Sequence, residues 1–149
     1  KYDGVVYKRR VSTDFAQAMR FLTEGIPPES GDYVARQVTA EMTHMIRRDG
    51  LIPRAAVFYD RRAFHGADDP ELRLTLDGNI RYRLGDLDLR NGTDGDTIPG
   101  QPFRIMEIKS ASSIPLWLAG TLSELGIHPG SFSKYGSVYK QRFQDLCTT

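Results

Sequence analysis

The stretch Leu72–Arg83, LRLTLDGNIRYR, governs how the strands of this chain are counted. Leu72, Leu74 and Leu76 alternate with Arg73, Thr75 and Asp77, and beyond Asp77-Gly78-Asn79 the basic Arg81 and Arg83 alternate with Ile80 and Tyr82. Alternation with a period of two marks a strand with two unlike faces, and an Asp-Gly step is a favoured hairpin turn. The stretch therefore reads as a β-hairpin folded at Asp77-Gly78-Asn79, with an apolar face and an arginine face. The arginine face looks either at plain solvent or at an anion.

The segments on either side extend the pattern. Ala55 to Phe64 reads as a strand, separated from the hairpin by the polar turn HGADDP, and Phe103 to Lys109 reads as another. Between hairpin and last strand, GDLDLRNGTDGDTIPGQ is a Gly/Asp-rich connection. Upstream, Thr13 or Ser12 caps a helix carrying Phe15, Met19 and Leu22 and ending near Gly25. A longer helix starts near Tyr33 with Asp32 as its cap, bears Val34, Val38, Met42, Met45 and Ile46, and stops at Gly50. Ser113 and Pro115 open a short helix through about Leu125 that contains Trp117, read as an anchor between helix and sheet, and the chain closes in a loop and a short helix. The class is α+β, with antiparallel strands and helices packed outside them.

A chain of 149 residues fits one domain, read as spanning 1–149. No run of apolar residues is long enough to span a membrane. Cys147 is the one cysteine, so no internal disulfide can form, and a cytoplasmic location is the simpler reading. The net charge of +1 does not suggest a nucleic-acid partner. Of 20 basic residues, 15 are Arg. The planar guanidinium fork matches phosphate and carboxylate, so the bias points to local anion sites, or else to GC-rich codon usage. The chain begins at Lys1 without a Met, in what reads as mid-strand (Val5 to Val11), and an upstream segment is expected.

Alternation places Lys8 with Arg10, Tyr59 with Arg61, Arg73 with Thr75, and Glu107 with Lys109, each pair on one face of its strand. Each pair taken alone fits a solvated face with cross-strand ion pairs. Taken together, and with the helices burying their apolar stripes on the other side, the basic faces are expected to point away from the helices. If the sheet curls into a barrel, those faces converge on an interior that needs a polyanion or acidic side chains for company. Glu107 is either a salt-bridge partner or the holder of a divalent cation bridging phosphate oxygens. Ser133 and Lys134, in the Gly-bounded SFSKYG loop, are either surface residues or phosphate donors. There is neither a P-loop nor a dinucleotide-binding glycine motif. His44, His65 and His128 share no ligand spacing, and DLDLRNG fails as a calcium loop because Gly92 falls one residue late and Thr97 stands where a Glu is needed.

Five segments in order, KYDGVVYKRR, AVFYDRRAF, LRLTLDGNIRYR, IMEIKS and SFSKYG, resemble the bacterial branch of the VTC (vacuolar transporter chaperone) polyphosphate polymerase domain. That domain has the triphosphate tunnel metalloenzyme fold, related to the CYTH proteins. The resemblance implies an antiparallel β-barrel lined with basic side chains, of which this chain supplies the C-terminal part. Upstream tunnel strands, including a Glu-x-Lys-x-Lys strand ending at Lys1, complete it. It implies transfer of the terminal phosphate of ATP to inorganic polyphosphate with Mn²⁺ or Mg²⁺. By the same resemblance, Lys8, Arg10, Tyr59, Arg61, Arg73, Ser133 and Lys134 contact phosphates. Glu107 binds the metal, and Arg61, Arg73, Glu107 and Lys134 are the catalytic set. Lys1, Arg81, Arg83 and Lys109 are secondary. A triphosphate hydrolase on the same tunnel and a non-catalytic polyphosphate-binding domain are the alternatives. No nucleic acid and no membrane insertion of this segment are implied.

Overall fold

The computed structural model describes residues 8–100 and 103–147, with side chains described through Gln141. The chain divides into two compact units, Lys1–Arg54 and Ala55–Thr149.

The first unit contains two helices, α1 (Phe15–Glu24) and α2 (Tyr33–Asp49). Both have side-chain caps at their N-termini: Gln17 N donates to Asp14 Oδ1 and Ala35 N donates to Asp32 Oδ2, each at 2.8 Å. Asp32 is the cap read from the sequence, whereas Asp14 takes the place of Thr13 and Ser12. Each helix ends on a left-handed glycine, Gly25 and Gly50, where a side chain would be strained. Phe21, Val38 and Thr39 are buried, and Arg9 pairs with Glu41 of α2. The expected first strand is not seen in its described part, because residues 8–11 are not in a strand, and residues 5–7 lie outside the described residues.

The second unit is an open antiparallel sheet with two helices, α3 (Leu116–Glu124) and α4 (Lys134–Cys147). The strands are β1 (Ala56–His65), β2 (Arg73–Arg83), β3 (Asp96–Thr97) and β4 (Ile105–Lys109). β2 lies centrally, with β1 along one edge and β3 and β4 along the other. The turn between β1 and β2 is closed by Gly66 N donating to Leu72 O and Leu72 N to Asp69 O. β3 falls within the segment read as a plain connection. The sheet of the described residues has four strands and does not close into a barrel.

The hairpin expected within Leu72–Arg83 does not form: Arg73–Arg83 is one continuous strand. A two-residue turn of the favoured type I′ needs two consecutive residues with positive φ. Of the three candidate residues only Asn79 has one, at 49°. β1 pairs with β2 on both sides of this point, from His65↔Arg73 to Ala56↔Arg83, and the register shifts between Phe58 and Asp60. Asp77-Gly78-Asn79 is therefore part of a strand held along its length, not a turn, and a β-bulge falls at Asn79-Ile80, which together stand opposite Tyr59. Asn79 Nδ2 donates to Asp60 Oδ2 at 2.6 Å and holds the bulge.

The bulge changes which side chains share a face. Before it, Arg73, Thr75 and Asp77 lie with their partners His65, Ala63 and Arg61. After it, Tyr82 pairs with Val57 and so continues the face of Asp77 and Arg61, while Arg81, paired with Phe58, moves to the other side. Ile80 and Tyr82 thus join Ile98 and Val138 of α4 in the core, with Val57, Phe103 and Ile105 packed against it. This corrects the expectation that the basic face points away from the helices: α4 lies on that same face, over its apolar half. Trp117 is a second correction, being 65% exposed instead of anchoring the core.

Placing Val at position 79 tests the bulge. A β-branched residue in the left-handed region costs about 1–2 kcal/mol, and the Asp60 hydrogen bond is lost as well. The expected outcome is a fall of about 2 kcal/mol in stability by urea denaturation, with Asn79→Gly much less affected.

Candidate functional site

Because antiparallel partners project to the same side, the β1–β2–β4 register assembles one charged patch. Arg61 lies opposite Asp77, Arg73 opposite Lys109, and Thr75 opposite Glu107. Tyr59 reaches the same patch from the point where the register shifts. α4 contributes its first residue, Lys134, at the end where Ser133 caps the helix by accepting from Gly136 N at 3.0 Å.

Asp77 is the centre of this patch. Arg61 Nε donates to its Oδ1 at 2.6 Å and Arg61 Nη2 to its Oδ2 at 2.8 Å, a two-point fork, and Lys134 Nζ lies 2.6 Å from Oδ2. The Asp77 side chain is 2% exposed, whereas Arg61 is 39% and Lys134 24% exposed. The carboxylate is covered by a layer one side chain thick, and its two cations are reached from solvent. The Tyr59 ring supports both, with the Arg61 guanidinium carbon 5.2 Å and Lys134 Nζ 4.4 Å from its centroid.

Around this triad the patch is more open. Lys109 Nζ is 3.2 Å from Glu107 Oε1, and Arg73 Nη2 is 3.9 Å from Glu71, with all four side chains about half exposed. The Thr75 hydroxyl, between Arg73 and Asp77 along β2, is buried and makes no hydrogen bond among the described residues. The sequence places Thr75 on this face but gives it no role, and it reads Asp77 as part of a turn. Paired to Arg61 across two strands, Asp77 is legible only once the register is known.

The bulge takes two expected residues elsewhere. Arg81 Nη2 lies 3.3 Å from Asp60, and Arg83 donates to the carbonyls of Asp88 and Asn91 at 2.9 Å each. The Arg83 guanidinium also stacks over Phe58, 4.9 Å from the ring centroid. These two arginines fasten the loop after β2 and lie on the face of the sheet opposite the Asp77 patch. Lys8 and Arg10 are exposed residues of the first unit, and Lys1 lies outside the described residues.

The Arg61 fork is the chief cause that lowers the Asp77 carboxyl from 3.8 to about 2; burial pushes the other way, and Lys134 adds to the lowering. The same bond raises the Arg61 guanidinium. A carboxyl whose pKa is depressed in the folded state contributes stability above its unfolded value, and that contribution is lost as pH falls through the folded value. The window here runs from about pH 4 down to about pH 2. Allowing for solvent around Arg61, the contribution is about 1–2 kcal/mol. Glu41, Asp49 and Asp88 are also lowered, by Arg9, Arg48 and Arg90, so acid alone does not isolate Asp77. The stability gap between wild type and Asp77→Asn is therefore expected to narrow by about 1–2 kcal/mol between pH 5 and pH 2, measured by urea denaturation at each pH.

Among the described residues there is no group of three or more His, Cys, Asp or Glu side chains able to hold a metal ion. Glu107 could therefore supply a single carboxylate. Magnesium-type sites commonly use one or two protein carboxylates, with waters and substrate phosphates completing the shell, and Glu107 is half exposed and compatible with that mode. No helix of the described residues is long and apolar enough to cross a membrane.

No curated protein and no solved structure matches the chain significantly. The family model described as VTC domain matches residues 1–143. With the cationic patch organised around Asp77 and a family match over nearly its whole length, the chain belongs to the VTC domain family, which is associated with polyphosphate polymerase function.

Proposed function

We propose that the patch belongs to the site of an ATP-dependent polyphosphate polymerase. The single observation that carries this reading is the gathering of Arg61, Arg73, Lys109 and Lys134 with Glu107 on one sheet face, in a chain of this family. In the full protein this open sheet would form part of a closed antiparallel tunnel of the CYTH-like type. Upstream strands would supply the rest. The setting would be cytoplasmic, where ATP is the donor.

Phosphoryl transfer asks a protein mainly for alignment and charge neutralisation. Arg61 and Lys134, fixed by Asp77 and Tyr59, present their remaining N–H donors to phosphate oxygens. Arg73 and Lys109 extend the cationic track along the strands. Ser133 keeps a hydroxyl proton to donate while its oxygen caps α4. Glu107 would hold Mn²⁺ or Mg²⁺, whose charge would offset the negative charge that develops during transfer. No side chain is needed as nucleophile, because an oxygen of the acceptor polyphosphate attacks the terminal phosphorus and ADP leaves.

The test is incubation of the full-length protein with ATP and Mn²⁺, followed by sizing of the product. Polyphosphate is the expected product. Free phosphate without polymer would indicate a hydrolase instead, and binding without turnover an accessory domain.

A further inference from the structure

We propose that Asp77 is a positioning residue that fixes Arg61 and Lys134 from behind and whose negative charge keeps the bound phosphate chain exchangeable. This rests on the reading of the patch as a polyphosphate site.

Three observations support it. First, Asp77 lies beneath both cations, nearly inaccessible, while they remain open to solvent. An anion arriving from solvent meets the cations and not the carboxylate. Second, Asp77 uses only part of their donor capacity. It engages Nε and Nη2 of Arg61 and one direction of Lys134 Nζ, leaving Nη1 and other N–H groups for an anion. Third, among the described residues the other group in contact with both cations is the Tyr59 ring, which attracts them without specifying a direction for their donors. Asp77 is thus the group that sets the direction of the donors, and it does so while cancelling one of their two positive charges. For a polymer that must advance along the site after each transfer, maximal grip is a disadvantage, and an internal counter-charge lowers it.

The variant Asp77→Asn keeps the size and some hydrogen-bonding capacity but removes the charge. A phosphate on the outer donors sits roughly 5–6 Å from the carboxylate, so losing that charge should tighten binding of inorganic tripolyphosphate about three- to tenfold at moderate salt. Affinity should also fall more steeply with added salt than in wild type. Turnover should drop, because the donors are no longer fixed, so KM falls together with kcat. Calorimetry with tripolyphosphate on the full-length protein, wild type beside Asp77→Asn, reads this directly. If wild type does not bind tripolyphosphate, the polyphosphate reading itself fails. If wild type binds and Asp77→Asn binds equally or more weakly, the proposal is overturned while the polyphosphate reading stands.

Should Asp77→Asn not fold, the wild-type protein supplies the measurement. The Arg61 Nε–H, which donates to Asp77, should exchange slowly with solvent both without and with saturating tripolyphosphate. Rapid exchange in either state would show that Asp77 does not hold Arg61 and would end the proposal.

Discussion

Glu107→Gln in the full-length protein is expected to abolish most of the proposed metal-dependent turnover, by about 10²–10³-fold or more, while tripolyphosphate binding stays within a few-fold of wild type. The asymmetry follows from what Glu107 contacts. Its carboxylate is half exposed and its one ion pair among the described residues is with Lys109, so it does not hold Arg61 or Lys134 in place. Gln keeps the side-chain shape and removes the charge on which a divalent cation depends. Freed from Glu107, Lys109 gains weight as a phosphate ligand, which helps preserve binding. Turnover is measured as polymer formed from ATP against Mn²⁺ concentration, and binding by calorimetry without metal. Full turnover in the variant would remove Glu107 from the metal site.

Arg61→Ala has the larger effect on binding. It removes the cation with the most structured surroundings in the patch, and loss of a charge-assisted phosphate contact costs about 2–4 kcal/mol of tripolyphosphate affinity. It also leaves Asp77 with Lys134 as its remaining ion-pair partner in the triad, so a nearly inaccessible carboxylate is half compensated. Stability is expected to fall by about 1–3 kcal/mol, less than for a deeply buried pair because the cover over Asp77 is thin. Arg61→Ala and Asp77→Asn therefore move tripolyphosphate affinity in opposite directions, although each breaks the same ion pair. A general structural loss would lower affinity in both. Arg73→Ala should lose less, since the Arg73 side chain is 52% exposed.

Much of the patch is legible from alternation alone. Tyr59 with Arg61, Arg73 with Thr75, and Glu107 with Lys109 fall on one face, as the period of two requires, and the β1–β2–β4 register brings the three strands' faces together. Lys134 joins them from a different element. Its membership shows in the SFSKYG motif and not in any periodicity, because a helix start can be placed over a sheet only by packing. The helix caps Asp32, Gly25 and Gly50 are equally legible, since each acts within its own few residues.

Asp77-Gly78-Asn79 marks the limit. Its composition is that of a turn, and local preference alone would fold it there. Long-range pairing overrules that preference: β1 is long enough to bond to β2 on both sides of the triplet, and β4 and β3 occupy the other edge. One left-handed residue, Asn79, then gives a bulge, and the bulge inverts the faces beyond it. That inversion removes Arg81 and Arg83 from the patch, brings Ile80 and Tyr82 under α4, and leaves Asp77 at the boundary between apolar core and cationic surface. The amino-acid order by itself determined most helix ends, the residues of β1, β2 and β4, the family and most of the cationic side chains, because these depend on neighbours in sequence. The partner of Asp77, the faces of the arginines past the bulge and the position of α4 were settled by tertiary structure, because they depend on the register between strands far apart in the chain.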